Sequence, residues 1–261
     1  MSAVTPAGDM PAPEVRFRYV QRLADASLIL AQRLGELIGH APALEEDLGI
    51  ANIGLDLLGQ ARLLLAYAGE IEGRQRTEDA LAFLREHRDF RNPILVEQPN
   101  GDFGQTIVRQ FLFDAWQFEL YDRLIASRDT HLAGIAEKAL KETRYHLRYS
   151  ANWLVRLGDG TEESHERAQR ALDNLWPFTA ELFDPDATDE AMMRAGIAPD
   201  YSAVRASWNE RVSAVLAEAT LERPADRPYL WYGSKGDHSE HLGHLLSQMQ
   251  YLQRTYPGAS W

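Results

Sequence analysis

Four side chains able to ligate a metal, Glu36, Asp56, Asp114 and His146, fall in four separate long helical stretches of this 261-residue sequence. A carboxylate-bridged di-iron centre takes one carboxylate from each of two bundle helices and a Glu-x-x-His turn from each of the other two. The i, i+3 spacing lets both side chains of one turn reach the same metal pair. Here both turns are incomplete. Asp56-Leu57-Leu58-Gly59 offers a carboxylate but no imidazole, and Thr143-Arg144-Tyr145-His146 an imidazole but no carboxylate. Glu142 precedes Thr143 but points about 100° away from it, and a neutral hydroxyl is a poor iron ligand beside a carboxylate.

Carboxylates among leucines are costly unless paired, protonated or metal-bound. The residues leave two readings open. One is a buried polar network stitched by hydrogen bonds and arginines, with Arg33, Arg109 and Arg144 close by in sequence. The other is a stand-alone di-iron oxygenase or ferroxidase using Glu36, Asp56, Asp114, Glu142 and His146, with Gln60 or water filling the place of Gly59. A third, blander option, a helical module for an acyl-CoA, has no basic pocket recognisable along the sequence.

The elements that must position these groups are helices. Apolar residues recur at helical spacing and strand-like alternation is nearly absent. After a Pro/Ala-rich tail over 1–13, expected to be disordered, the pattern predicts long helices over about 14–39, 44–71, 103–127 and 130–157. His40-Ala41-Pro42 breaks the first from the second, and Glu45, Glu46 and Asp47 suit the second helix's positive end. A short helix follows Thr77 as N-cap. Later helices are expected over 163–182, bent at Pro177, and over 203–219 and 239–254. The four long helices imply one helical-bundle domain over 14–261 with C-terminal additions. The long 88–102 loop and the aromatic stretch 228–232 are candidate contact surfaces.

On the first helix Asp25, Gln32 and Glu36 lie within about 40° of one another, flanked by leucines, so at least one is expected to be buried. On the second, Asn52 and Asp56 share a face. The only literal Glu-x-x-His, Glu162 to His165, opens a helix after a Gly-Asp-Gly turn, where acids serve the dipole and cap. His238, His241 and His244 spread over about 120° of one helix, so capping and contact roles suit them better than a metal triad.

With no cysteine, disulfides and thiolate chemistry are excluded. A formal charge of −12 disfavours nucleic acid and anionic membranes as partners. The first fifteen residues lack the positive start and apolar run of a signal peptide, and no uninterrupted apolar run approaches the ~20 residues that span a bilayer. A soluble protein, cytoplasmic by default, is expected. Phosphate loops, dinucleotide fingerprints and nucleophile elbows are absent.

The segments AQRLGELIGHAPALEEDLGIANIGLDLLGQAR, ILVEQPNGDFGQTIVRQ, AEKALKETRYHLRYS and DHSEHLGHLLSQMQYLQR resemble the C-subunit family of bacterial phenylacetyl-CoA epoxidases, and the resemblance runs from about residue 17 to Trp261. It implies an all-α, ferritin-like fold. It also implies a structural, non-catalytic subunit that pairs with a catalytic A subunit, whose di-iron centre activates dioxygen and epoxidises the ring. A B subunit and a reductase with FAD and an iron–sulfur centre, drawing electrons from NADPH, complete such complexes. On the catalytic pattern Glu36, Asp56, Asp114 and His146 match ligand positions, whereas Gly59 stands where an imidazole is needed and Thr143 where a carboxylate is needed. The resemblance therefore implies no catalytic, cofactor-binding or metal-binding residue in this chain.

Overall fold

Two helical hairpins face each other in the computed structural model, which describes residues 9–227 and 231–259. The first pairs α1 (Pro13–Leu37) with α2 (Leu44–Glu72), and the second α4 (Phe103–Leu124) with α5 (Thr130–Gly158); α3 (Glu78–Phe83) lies between. α6 (Glu162–Leu175), α7 (Ala187–Arg194), α8 (Tyr201–Glu218), α9 (Glu240–Met249) and α10 (Tyr251–Thr255) wrap the pair. No strand occurs among the described residues. This is the helical bundle that the periodicity predicts, and the ferritin-like fold that the resemblance implies.

α1 and α4 are the central pair. From Tyr19 to Ala31 and from Gly104 to Gln117 nearly every side chain is buried, as expected of helices covered all round. α2 packs mainly on α1, and α5 mainly on α4; α6 and α8 close over α4, and α7 over α1. Helix ends follow from local chemistry. Thr77, Asp102, Asp129 and Thr161 accept N-terminal N–H bonds. The turn before α2 is fixed by Asp47, whose carboxylate accepts from Gly39 N at 2.7 Å. At Gly158 a Cβ would lie 2.2 Å from the Ala219 carbonyl oxygen, so glycine lets the end of α5 meet the end of α8.

Three expectations are corrected. The 163–182 helix does not bend through Pro177: α6 stops at Leu175, and a 3-10 segment, Trp176–Phe183, takes over, because proline cannot donate into the α ladder. α7 was not expected; its eight residues are too few for periodicity to show, and Asp186 and Asp189 cap it reciprocally. The 88–102 loop is not a free surface, since residues 92–97 are buried inside this chain. Of the expected contact stretch 228–232, residues 228–230 lie outside those described, as do residues 1–8 of the expected disordered tail.

That buried crossover is held by charge. Glu97 is fully enclosed and accepts from Asn92 Nδ2 (2.9 Å), Ser239 N (2.8 Å) and Ser239 Oγ (2.6 Å). His238 Nδ1 donates to it at 2.5 Å, while its Nε2 faces the Phe90 carbonyl at 2.9 Å. Both ring nitrogens face oxygen atoms, so the ring ties Glu97 to the crossover backbone. Leaving a buried carboxylate short of a hydrogen-bond partner costs about 1–3 kcal/mol. We expect His238→Ala to lower unfolding free energy toward that range, read as a shifted denaturant midpoint at unchanged slope; a midpoint within error of wild type would refute this account of the crossover.

Candidate functional site

α4 carries Gln110, Asp114, Gln117 and Tyr121 at spacings of four, three and four, which align them on one helical face, and all are buried. α5 answers with Thr143, His146 and Ser150, also buried. α1 contributes Ser27, and α2 contributes Gln60 and the half-buried Asp56. This polar row runs through the middle of an otherwise aliphatic core.

Hydrogen bonds divide it into three groups. Asp114 accepts from Gln110 Nε2 at 2.6 Å and lies 2.7 Å from Ser150 Oγ. Ser150 Oγ also lies 3.0 Å from the His146 carbonyl, one turn back. Thr143 donates to Gln117 Oε1 at 3.3 Å, and Gln117 Nε2 reaches Ser27 Oγ at 3.2 Å and the Tyr121 hydroxyl at 3.4 Å. Toward the outer side, His146 Nε2 meets Asp56 Oδ2 at 3.1 Å, and Gln60 donates to Glu142 at 3.0 Å.

Burial sets the protonation. Full enclosure pushes Asp114 up to about 8, against the lowering effect of its Ser150 and Gln110 bonds. Near neutral pH it therefore holds its proton, and its two oxygens receive Gln110 Nε2 and Ser150 Oγ. Burial lowers the His146 pKa, and Asp56 opposes the shift. The neutral ring donates Nε2–H to Asp56, leaving Nδ1 buried without a partner. Glu142 is raised by burial, opposed by Gln60, with the Asp56 charge adding to the rise.

Of the residues singled out in the sequence, Asp56 and His146 meet directly, and Asp114 and Thr143 sit in the same row. Glu36 and Gly59 do not join it. Glu36 lies in the last turn of α1, too near the end of the helix to reach the middle of the bundle. It is largely solvent-facing and pairs with Arg33 at 2.8 Å. Gly59 sits about 200° on from the buried Leu57, and a Cβ there would meet nothing within 4 Å; it faces away from the core. Asp25, on the Glu36 face, is buried, but against Arg85 and not within the row. Arg33 and Arg109 serve the crossover, and Arg144 is exposed. Gln110, Gln117, Ser150 and Ser27 escaped sequence reasoning, although the spacing on α4 carried a usable signal.

The residues present do not fit a pair of irons. Ser27, a hydroxyl, is what α1 brings to the row, and α2 brings nothing at position 59. Thr143 is engaged with Gln117, and Asp114 is a neutral acid with both oxygens in hydrogen bonds. Among the described residues no three His, Asp or Glu side chains converge where an ion could bind. The Glu162–His165 pair does not converge either: His165 Nδ1 turns to the Gly158 carbonyl at 2.7 Å.

A protonated buried acid has a thermodynamic signature. The folded chain keeps the Asp114 proton that the unfolded chain releases near pH 4, so stability falls as pH rises from about 4 to about 8. Asp114→Asn, a neutral isostere of the protonated form, is expected to flatten the pH dependence of unfolding free energy across that window. It should be at least as stable as wild type at pH 8. Parallel wild-type and variant curves would show that Asp114 is ionised.

The model of the phenylacetic acid catabolic protein family matches residues 1–261. The chain is 55% identical over 243 residues to the C subunit of 1,2-phenylacetyl-CoA epoxidase of Escherichia coli (strain K12), across 93% of this chain and 98% of that one. Among solved structures, a Synechococcus protein described as Protein 19 with aldehyde deformylating oxidase activity superposes with a TM-score of 0.58 at 14% identity, over 92% of this chain and 100% of that one. That likeness is one of fold. Sequence match across the full length, the bundle architecture and a carboxylate–imidazole row in the bundle's centre agree: the chain belongs to the phenylacetic acid catabolic protein family.

Proposed function

We propose that this chain is the structural, non-catalytic subunit of a 1,2-phenylacetyl-CoA epoxidase complex in aerobic phenylacetate degradation, and that it binds and stabilises the di-iron catalytic A subunit. Electrons would come from NADPH through the FAD and iron–sulfur centre of a reductase, and a B subunit would complete the assembly. The chain works in the cytoplasm on this reading, and its own contribution is surface and rigidity.

The observation that carries the proposal is the outer face of α2. Leu44, Leu48, Leu55 and Leu58 follow one stripe about 80° wide, and they are 70%, 56%, 65% and 40% exposed. Gly59 belongs to the same stripe, about 40° from Leu55. An exposed glycine inside a helix costs about 1 kcal/mol against alanine; here it leaves a flat place where a partner's backbone can come close. Contiguous leucines of this kind mark protein or membrane contacts. α2 is long and apolar enough by composition to cross a membrane, but its other face, Ile53, Leu57, Gln60, Ala61 and Leu64, packs into the bundle core. The acidity of the chain disfavours an anionic lipid surface. A protein partner suits an apolar stripe edged by Glu45 and Asp56, and the Escherichia coli relative, itself named as one subunit of an epoxidase, supports a complex. A stand-alone di-iron oxygenase or ferroxidase would need Asp114 and Glu36 as ligands, and their surroundings argue against it.

Co-expression with the catalytic partner tests this. Wild type is expected to co-elute with it on size exclusion, with iron in the complex and little in this chain purified alone. Leu48→Glu combined with Leu55→Glu should fold normally, since exposed positions change stability by about 0.5 kcal/mol or less, yet elute free of the partner. Undiminished co-elution of that variant would place the interface elsewhere, and near-stoichiometric iron in the isolated chain would overturn the non-catalytic role.

A further inference from the structure

A cavity of about 470 Å³ opens between the first turns of α1, the end of α2 and the start of the crossover. We infer that it binds a small phosphate-bearing molecule. Five guanidinia line it, from Arg18, Arg74, Arg76, Arg85 and Arg91, against three carboxylates, in a chain whose formal charge is −12. The sequence hides this pocket because its arginines come from three separate segments.

Two of the five are already paired within the fold. Arg76 engages Glu72, and Arg85 engages the buried Asp25. The other three face no carboxylate within ion-pair distance. Arg91 gives Nη1 to the carbonyls of Arg88 and Phe90, both at 2.5 Å; burial and the adjacent Arg18 lower its pKa, against the raising effect of Asp25 and Asp89. Arg18 is half-buried, and its Nε is enclosed with no hydrogen-bond partner. Arg74, at the rim, is exposed and makes no hydrogen bond or ion pair among the described residues. Of the lining acids, Glu72 is engaged by Arg76, and Asp89, which accepts from the Glu86 N–H at 3.1 Å, and Glu14 oppose the rest, so arginines remain in excess.

The loop that brings Arg74 and Arg76 here is shaped for close approach. Gly69 lacks the Cβ that would lie 2.4 Å from the Arg76 carbonyl oxygen, so residues 73–77 fold back onto α2. Gln75 is held at φ +59°, a left-handed conformation rare for a side-chain-bearing residue. Guanidinia crowded in excess of the nearby carboxylates favour an arriving anion. A planar N–H fork matches phosphate oxygens two at a time, and the volume falls within the range of small-molecule sites. This site does not depend on the subunit role proposed above.

Titration calorimetry of the full-length chain with inorganic phosphate, ADP and coenzyme A, each at low and at physiological salt, tests the assignment. Saturable one-to-one binding of at least one of the three is expected. Arg18→Gln with Arg74→Gln should weaken it at least tenfold, or about 1.4 kcal/mol, while Arg62→Gln, outside the cavity, should leave it unchanged. Inorganic phosphate binding as tightly as ADP identifies a free-phosphate site; ADP or coenzyme A binding about tenfold tighter identifies an organic phosphate ligand. The inference fails if none of the three saturates below about 10 mM, if the double variant binds like wild type, or if Arg62→Gln weakens binding equally. Arg18 and Arg74 hold no structural partner, so both variants are expected to keep the wild-type unfolding midpoint.

Discussion

An irregular crossover runs through the inside of this bundle, and its backbone polar groups must find partners away from water. Side chains from α1 and α4, joined by Arg85 and Glu181, supply them. Gln21 and Arg85 donate to the Asp89 carbonyl at 2.7 and 3.2 Å, and Asp25 accepts from Arg91 N at 2.9 Å. Glu181 accepts from Ile94 N at 2.9 Å, Arg33 Nε donates to the Glu97 carbonyl at 3.0 Å, and Arg109 donates to the Gln98 carbonyl. Asn100 returns the exchange by donating to the Arg33 carbonyl at 2.6 Å. Much of the chain's buried charge is committed to this segment.

The strain of that commitment shows in the same groups. Burial raises Glu181 to about 7 despite two backbone N–H bonds, and lowers the fully enclosed Arg109 to about 9, with Arg33 adding to the fall. Helix-to-helix packing alone would not require any of these charges. The irregular backbone does, because an unsatisfied buried carbonyl or N–H costs about as much as the bond it lacks. The polar row between α4 and α5 obeys the same rule by other means. Its amides, hydroxyls and one neutral acid bond to one another, leaving Gln60 Oε1, Gln110 Oε1 and His146 Nδ1 buried without partners.

The helices were legible because their apolar residues repeat at helical spacing, and the starts of α2, α4 and α5 fell within a residue or so of the expected positions. Tertiary placement was less so. Helical angles put Glu36 on a face with Asp25, but an angle says nothing about depth along the bundle; Asp25 is buried and Glu36 lies at the helix's end. Gly59 was read as a vacant ligand position from its three-residue step after Asp56, whereas that step carries it round to the outside of α2. The crossover looked like a surface loop because prolines, Asn-Gly and charges normally mark one. Its charges instead point inward, to partners distant in sequence that a pattern along the chain cannot reveal. The arginine cavity was invisible for the same reason.

α2 separates two demands on one helix. Its inner stripe needs aliphatic residues to pack against α1, and its position beside α5 puts Asp56 within reach of His146. Nothing in the bundle requires leucines at positions 44, 48, 55 and 58, where aqueous exposure is unfavourable by about 25 cal/mol for each Å² of apolar surface left uncovered. Polar residues there would serve an isolated protein better without disturbing the fold. The excess apolarity therefore has its physical rationale outside the single chain, in whatever covers the stripe. On the proposed reading that cover is the catalytic partner. A bundle whose interior is already fixed by hydrogen bonds suits such docking, because binding need not order it.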